Sequence, residues 1–406
     1  MESQLDWSDT PVQKQFRKDV IDYISNNLPD YYKAAKPPTG LEAGDWQNFF
    51  ALGDAEQKKA ATEWMHTLQK KGWVAPHWPK EYGGAGFSPI EQFILHQEMA
   101  LHDAPTVGGQ GVSMLGPTIL IHGTDEQKKK FLQPTLSGEM LWAQGFSEPG
   151  AGSDLASLQA RAEKDGDNYL INGQKLWTSR SHKSNWIFGL FRTDPEAPKH
   201  RGISFFVMDQ NTPGLSVNPI IDMAWEHSTN ETFYENVMVP DTQVIGPENR
   251  GWYVAMTLLD YERSNISGAI QKSKRIKELI HFLSNKENNK IFRLDQFRQV
   301  IADRYIESEV LFNFSLRIVS LQSNDIVPNY EASVSKIFDS ELSQRLSNTG
   351  TKVFGLYGNL WDEKLGPMDA YFTREYAHSV VRTIFGGASE IQRNIIATRG
   401  LGLPRG

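Results

Sequence analysis

The chain has 406 residues, 39% of them hydrophobic, a net charge of −7 and no cysteine. This length provides for two or three domains with a large core, while the missing thiols exclude disulfides, thiolate catalysis and cysteine-ligated metal centres. The net negative charge gives no overall positive potential that would attract nucleic acid. Because no apolar run approaches the roughly 18 residues of a membrane-spanning helix and the N-terminus lacks a signal-peptide pattern, we expect a cytoplasmic protein without a transmembrane segment.

The N-terminal part of the chain has the pattern of helices. Apolar residues recur at three- and four-residue spacing in 16–27, 55–71 and 89–101, which predicts amphipathic helices. Thr124 is placed to cap one more helix. Residues 72–84 are rich in Gly and Pro and predict a long ordered loop. We therefore expect an α-helical domain over residues 1–140.

The pattern changes over residues 141–245, where we expect a β domain. Short runs rich in β-branched and aromatic residues are separated by turn signals such as Asn172-Gly173. These runs are 169–171, 186–188, 203–207 and 232–239.

Long helical patterns return over residues 246–406. The helices are predicted near 251–284, 291–323, 330–357 and 365–399, with turns at 284–290 and 324–329. Four long helices with short connections predict a bundle. The expected fold class is mainly α with a central β domain and a C-terminal four-helix bundle.

One stretch, Gly145 to Asp154, combines three glycines and a proline in ten residues. This composition excludes a helix interior or a central strand and predicts a fixed loop with free backbone N–H groups. Such a loop suits a polar ring edge or a phosphate, although an ordinary surface turn has the same composition. A second aromatic and polar cluster follows at Trp177-Thr178-Ser179, after a predicted tight turn at Asn172-Gly173.

This loop and this cluster, in their order and spacing, resemble the acyl-CoA dehydrogenase family. The resemblance covers nearly the whole chain and includes the order of α domain, β domain and α bundle. It implies FAD as the cofactor and no metal. In the family, the loop holds the pyrimidine side of FAD and the aromatic cluster lies against the flavin ring.

The family's reaction removes an α-proton and a β-hydride from an acyl-CoA thioester, and the proton goes to a carboxylate. Many members carry this base in a Tyr-Glu-Gly-Thr motif near the C-terminus. Here the corresponding run is Phe385-Gly386-Gly387-Ala388, so Gly386 stands at the expected position of the base. Glu390, four residues on, is more simply a solvent-facing or capping carboxylate.

Another branch of the family supplies the base from a helix of the bundle, and the matching residue here is Glu262 in Leu259-Asp260-Tyr261-Glu262-Arg263. Helical periodicity also places Glu262 on an apolar face, where desolvation would raise its pKa and strengthen it as a base. A buried glutamate paired with an arginine is the alternative. The apolar residues of that face are Ala255, Leu258, Leu259, Ile266 and Ala269.

The resemblance assigns further site residues. Those matching the pyrimidine edge of the flavin are Gln144, Phe146 and Ser147, and those beside flavin N5 are Trp177 and Ser179. Ser153 matches a contact to CoA, and Arg263 matches an arginine near the substrate. The backbone at Gly386 and Gly387 would approach the flavin and the thioester closely.

The chain departs from the family where many homotetrameric members contact a neighbour's FAD. Residues 274–279 lack the usual Phe-Gly, and residues 352–358 differ from the usual glycine-rich run. The adenosine end of FAD would then be held differently or by another polypeptide. The pattern is most similar to bacterial subunits acting on pimeloyl-type or steroid side-chain CoA esters, some of which form α2β2 heterotetramers.

We therefore expect an FAD-dependent acyl-CoA dehydrogenase that works as a homotetramer or as a heterotetramer with a paralogous subunit. The resemblance implies an electron-transferring flavoprotein as the acceptor. Two other interpretations stay open: a flavin monooxygenase or nitroalkane oxidase on the same fold, and a flavin-poor structural subunit of a heterotetramer.

Overall fold

The computed structural model describes residues 9–34, 46–262, 266–292 and 294–404. The side chains of 260–262, 266–267, 289–291 and 294 are not described. In the described chain a helical part, a mixed β-sheet and a second helical part follow one another, which confirms the expected fold class. No described helix combines the length and the apolar character needed to cross a membrane.

The helices before the sheet begin at well-formed caps. In four of them the capping side chain accepts a hydrogen bond from the backbone N–H of the third helical residue, whose own side chain accepts one from the backbone N–H of the cap. This reciprocal bonding satisfies two backbone donors at once, and it confirms Thr124 as a cap. The helices are α1 (Pro11–Asn27), α2 (Asp30–Ala34), α3 (Trp46–Leu52), α4 (Ala55–Gln69), α5 (Pro89–Leu101), α6 (Gly116–His122) and α7 (Asp125–Leu136).

The sheet has the order β6-β7-β3-β2-β4-β5-β8, and β1 pairs with β4 in parallel beside this path. Its strands are β1 (Trp142–Gly145), β2 (Arg161–Asp165), β3 (Asn168–Lys175), β4 (Trp186–Arg192), β5 (Ile203–Asp209), β6 (Leu215–Ile221), β7 (His227–Pro240) and β8 (Val244–Ile245).

Strands β4 and β5 of the sheet are buried on both faces. On β5, Phe205 and Val207 belong to the core of the N-terminal helices, whereas Phe206 and Met208 belong to a separate cluster on the opposite face. Successive side chains of a strand point to opposite faces. Because both faces of β5 are buried, its residues from Phe205 to Met208 are all apolar. The sheet therefore shares its larger core with the helical domain before it.

The helices after the sheet are α8 (Gly251–Glu262), α9 (Ile266–Ser284), α10 (Lys286–Phe292), α11 (Leu294–Gln322), α12 (Tyr330–Phe354), α13 (Tyr371–Ser379) and α14 (Ser389–Ile395). The first of them packs with the N-terminal helices and the sheet through Val254, Ala255 and Leu258. Helices α9, α11 and α12 pack on one another, and α13 and α14 pack on α12.

The prediction of a turn at 284–290 was wrong, because α10 begins within it. Asn285 Oδ1 accepts a hydrogen bond of 2.9 Å from Glu287 N, which caps the new helix. At the other end Phe292 is buried against Phe282 and Phe354, with ring centroids 5.9 and 5.2 Å apart. The aromatic contacts hold a short helix where the charged residues alone suggest a loop.

The prediction of one helix over 365–399 was also wrong. Met368, Asp369 and Ala370 have left-handed backbones, and so do Gly386 and Gly387. Each of these residues departs from helical geometry, so the segment divides into α13, α14 and short 3-10 or π-helical turns.

The predicted tight turn at Asn172-Gly173 lies instead inside β3. The strand continues past a bulge between Ile171 and Gly173, because the long strand β7 pairs with it on both sides. Asn172 Oδ1 accepts a hydrogen bond of 2.8 Å from Asn236 N on β7, and Gly173 takes the positive φ of 146°.

Candidate active site

The glycine-rich loop and the Trp177 cluster lie side by side at the ends of two strands. The loop begins where β1 ends at Gly145, and the cluster follows the end of β3 at Lys175. Leu176 N donates a hydrogen bond of 2.8 Å to Ser147 O. The two motifs, 30 positions apart from Ser147 to Trp177, therefore form one surface.

A buried ion pair lies behind this surface. Lys175 Nζ is 2.7 Å from Glu148 Oε1 and donates a second hydrogen bond of 3.2 Å to Phe146 O. The Glu148 carboxylate also accepts from Gln159 N at 2.6 Å and from Ala160 N at 3.0 Å. Burial lowers the pKa of Lys175 to about 8, and the charge of Glu148 opposes this shift. The pair fixes the backbone of the loop from within.

The face of this surface carries an indole and two hydroxyl groups without protein partners. Trp177 is 58% exposed and has a left-handed backbone, with φ of 60°. The Ser147 and Ser179 hydroxyls make no hydrogen bond to any residue that the structure describes. Phe146 is buried between Phe188 and Phe205. An exposed flat side chain beside free polar groups fits a planar ring with a polar edge.

Strand β7 supports the segment that carries Trp177. Thr178 N donates to Asn230 O at 2.9 Å, and Asn230 Nδ2 donates back to Thr178 O at 3.0 Å. The Asn230 amide also contacts His182 and His227, whose rings stack with centroids 3.7 Å apart. Burial, followed by the charge of His227, lowers the pKa of His182 to about 4, so its imidazole is neutral at neutral pH.

Gly386 and Gly387 form a turn between α13 and α14, with φ of 62° and 86°. Gln392 Nε2 donates to both of their carbonyl oxygens, at 3.2 and 3.4 Å. The sequence did not point to Gln392, because a polar residue in a helical pattern gives no sign of the contacts that it makes.

Glu390 is exposed in the first turn of α14, as its expected solvent-facing role requires.

Two other expected residues lie at the margins of this surface. Gln144 is half-buried on β1, opposite Phe188 of β4. Ser153 is exposed in the glycine-rich loop. Its neighbour Asp154 binds Lys199 and accepts a hydrogen bond from Ser157, so the outer part of this loop is tied to the β domain.

Glu262 is the last residue of α8, and its side chain is not described, while Arg263 lies outside the described residues. The residues four and seven positions earlier, Leu258 and Ala255, are both fully buried. Residues at these spacings share a helix face, so the face on which the sequence places Glu262 is buried at these two positions. The catalytic role of Glu262 stays a prediction.

The described residues fit a flavin better than a metal. Across the described ranges, no three His, Asp or Glu side chains lie close enough together to hold a metal ion. The exposed Trp177, the free hydroxyls of Ser147 and Ser179, and the side-chain-free turn at Gly386-Gly387 suit the flat, polar-edged ring of FAD.

Models of the three domains of acyl-CoA dehydrogenases match nearly all of the chain. The N-terminal domain matches residues 10–139, the middle domain residues 143–237 and the C-terminal domain residues 249–401. The chain is 33% identical to acyl-CoA dehydrogenase FadE29 of Mycobacterium tuberculosis over 398 residues, which is 98% of both proteins.

Two solved structures are similar over almost the full length. One is described as the Tcur3481-Tcur3483 steroid ACAD, with a TM-score of 0.83, 31% identity, and 99% of this chain and 100% of that chain covered. The other is the ChsE4-ChsE5 complex from Mycobacterium tuberculosis, with a TM-score of 0.80, 30% identity, and 99% and 100% covered.

Proposed function

The chain belongs to the acyl-CoA dehydrogenase family, and from this premise we propose that it converts an acyl-CoA thioester to the 2-enoyl-CoA with FAD as the oxidant. It is accordingly an acyl-CoA dehydrogenase, an oxidoreductase of a family of flavoproteins. The observation that supports FAD most directly is the exposed Trp177 on the surface that also carries Ser147 and Ser179, whose hydroxyls make no hydrogen bond to the described residues. Bound there, FAD supplies a hydride acceptor at N5.

Residues of the chain would supply the base and the contacts to the substrate and the flavin. Glu262 would take the α-proton of the thioester, Ser153 would contact CoA, and Arg263 would lie near the substrate. The backbone of Gly386 and Gly387 would approach the flavin and the thioester. The proton is weakly acidic, so its removal requires a base that is aimed and partly desolvated, which the buried side of α8 can provide.

Anaerobic bleaching tests this function. We expect the purified protein to be yellow, alone or co-expressed with a paralogous subunit, and to lose its flavin colour on mixing with an acyl-CoA. Straight, branched, dicarboxylic and steroid side-chain CoA esters should be compared, because similar structures include a steroid ACAD. A flavin that no CoA ester bleaches would favour a monooxygenase or nitroalkane oxidase, and a protein that never retains flavin would favour a structural subunit.

We propose that the active form contains four subunits, either identical or paired with a paralogue. The Tcur3481-Tcur3483 and ChsE4-ChsE5 structures each name two different proteins, and α9, α11 and α12 offer long surfaces for such contacts. The electrons would pass to an electron-transferring flavoprotein. Light scattering of the flavin-loaded protein checks the assembly, and an active monomer would contradict it.

A further inference from the structure

A close contact between a carboxylate and an imidazole joins the β domain to α13. Glu226, just before β7, places Oε1 at 3.1 Å from Nε2 of His378 on α13. The His378 side chain is 1% exposed and that of Glu226 is 24% exposed, and neither His378 Nε2 nor Glu226 Oε2 makes a hydrogen bond in the described part of the chain. Since α13 otherwise packs mainly on α12, this pair is a direct tie between the sheet and the last helices.

The charge of Glu226 also acts on a buried lysine of the Trp177 segment. Lys183 ends the short 3-10 turn Ser181–Lys183, six positions after Trp177, and it is 5% exposed. Burial lowers the pKa of Lys183 to about 8, and the charge of Glu226 opposes that shift. The backbone of Lys183 is held as well, because its carbonyl accepts a hydrogen bond of 3.2 Å from Gln47 of α3.

His378 precedes the other half of the site in the chain. It is eight positions before Gly386, and α13 continues from it into the 3-10 turn Val380–Thr383. At a rise of at most about 2 Å per helical residue and about 3.6 Å per residue beyond Thr383, Gly386 lies within about 21 Å of His378. The contact therefore connects the start of β7, the strand that supports the Trp177 segment, with the helix that leads towards the turn of Gly386-Gly387.

We propose that Glu226 and His378 are positioning residues that fix the Trp177–Ser179 side of the flavin site against the Gly386–Gly387 side. This inference rests on the proposed role of FAD. It predicts that the pair controls how tightly the flavin is held and the environment of its ring, and not only how stable the fold is.

Glu226→Gln tests the proposal, because it keeps the size of the side chain and removes the charge. We expect the FAD dissociation constant to rise by about tenfold and the visible absorption band of the bound flavin to change shape. His378→Gln should give the same two effects. In the double variant the dissociation constant should stay close to that of either single variant, since both changes break one interaction.

Asp339→Asn is the matched control. Asp339 pairs with Lys272 at 2.5 Å, and their side chains are 19% and 12% exposed, but both lie on bundle helices. We expect it to lower the melting temperature while the FAD dissociation constant and spectrum stay those of the wild type.

Folded Glu226→Gln and His378→Gln proteins with the affinity and spectrum of the wild type would overturn the proposal, whatever their melting temperatures. If Glu226→Gln does not fold, Glu226→Asp replaces it, and a wild-type affinity and spectrum in Glu226→Asp and His378→Gln would count equally against the proposal. A wild-type protein that never binds FAD would contradict the proposed function instead, so the two failures are distinguishable.

Discussion

Lys175 shows how a single charged residue can organise a loop. It is fully buried, and its partner Glu148 carries the backbone hydrogen bonds of Gln159 and Ala160 as well as the ion pair. A buried charge without a partner is costly, whereas a complete pair contributes little to stability relative to apolar residues of similar size. The pair therefore defines the shape of the loop more than it stabilises the fold.

Lys175→Met should remove about 3 kcal/mol or more from the free energy of unfolding, because it leaves the Glu148 carboxylate buried and unpaired. Urea denaturation measures the loss. In the double variant Lys175→Met/Glu148→Gln the loss should be smaller, since no uncompensated charge remains. A double variant less stable than the single one would contradict this account.

Glu262→Gln keeps the size of the proposed base but removes its basicity. An acyl-CoA should still bind and perturb the flavin spectrum, while single-turnover reduction slows by at least the ~10²–10⁴ typical of general-base loss. Glu390→Gln, an exposed control, should reduce the flavin at nearly the wild-type rate. Rapid reduction by a folded, FAD-loaded Glu262→Gln enzyme would mean that another group is the base.

The site residues predicted from sequence are those with a distinctive composition or motif. The glycine-rich loop and Trp177 were found in this way, and the structure places them together. Gln392 and the His182–His227 stack were not found, because their roles depend on contacts between distant segments that leave no local pattern. The same is true of Glu148 and Lys175. In the sequence each is an ordinary charged residue, and only the folded sheet shows that they pair.

At the scale of elements, the first helices were predictable because their caps and apolar spacing agree. Strands β1, β2, β6 and β8 were not among the predicted runs, since each is defined by pairing with a longer strand rather than by its own composition. The prediction of one helix over 365–399 was wrong for a different reason. The periodic spacing of apolar residues continues across Gly386-Gly387, whereas the helical backbone is interrupted there.

Gly387→Ala tests the break between α13 and α14. A Cβ there would lie 2.3 Å from Gln392 Nε2, and the φ of 86° is unfavourable for alanine, so we expect a loss of about 1–3 kcal/mol in unfolding free energy together with weaker FAD retention. Gly166→Ala is the control for backbone strain, because its φ is 58° and no atom lies within 4 Å of the added Cβ. Equal FAD retention in both variants would argue against a role of this turn at the flavin.

For the molecule as a whole, three histidines predict acid sensitivity. Burial lowers the pKa of His77, His96 and His182 from 6.5 to about 4, with a smaller contribution from the charge of His96 at His77 and of His227 at His182. The unfolded chain binds more protons between these values, so their contribution is fully present above about pH 6.5 and is lost as the pH falls towards 4.

We therefore expect the melting temperature to fall between pH 6.5 and pH 4. His96→Gln cannot titrate and should flatten this dependence, which differential scanning calorimetry at several pH values can measure. A slope unchanged by His96→Gln would show that other groups govern the acid response.

The core that runs from the N-terminal helices into one face of the sheet determines which segments unfold together. Trp64 of α4 and Phe205 of β5 belong to that single cluster, whereas Leu279 of α9 and Phe354 of α12 belong to a cluster of the bundle. Segments that share a core unfold cooperatively. In native-state hydrogen exchange, the slowest amides of α4 and β5 should therefore open with a common free energy and a common urea dependence, and those of α9 and α12 should form a second unit. The boundary between cooperative units would then fall after α8, and not between the helical domain and the sheet.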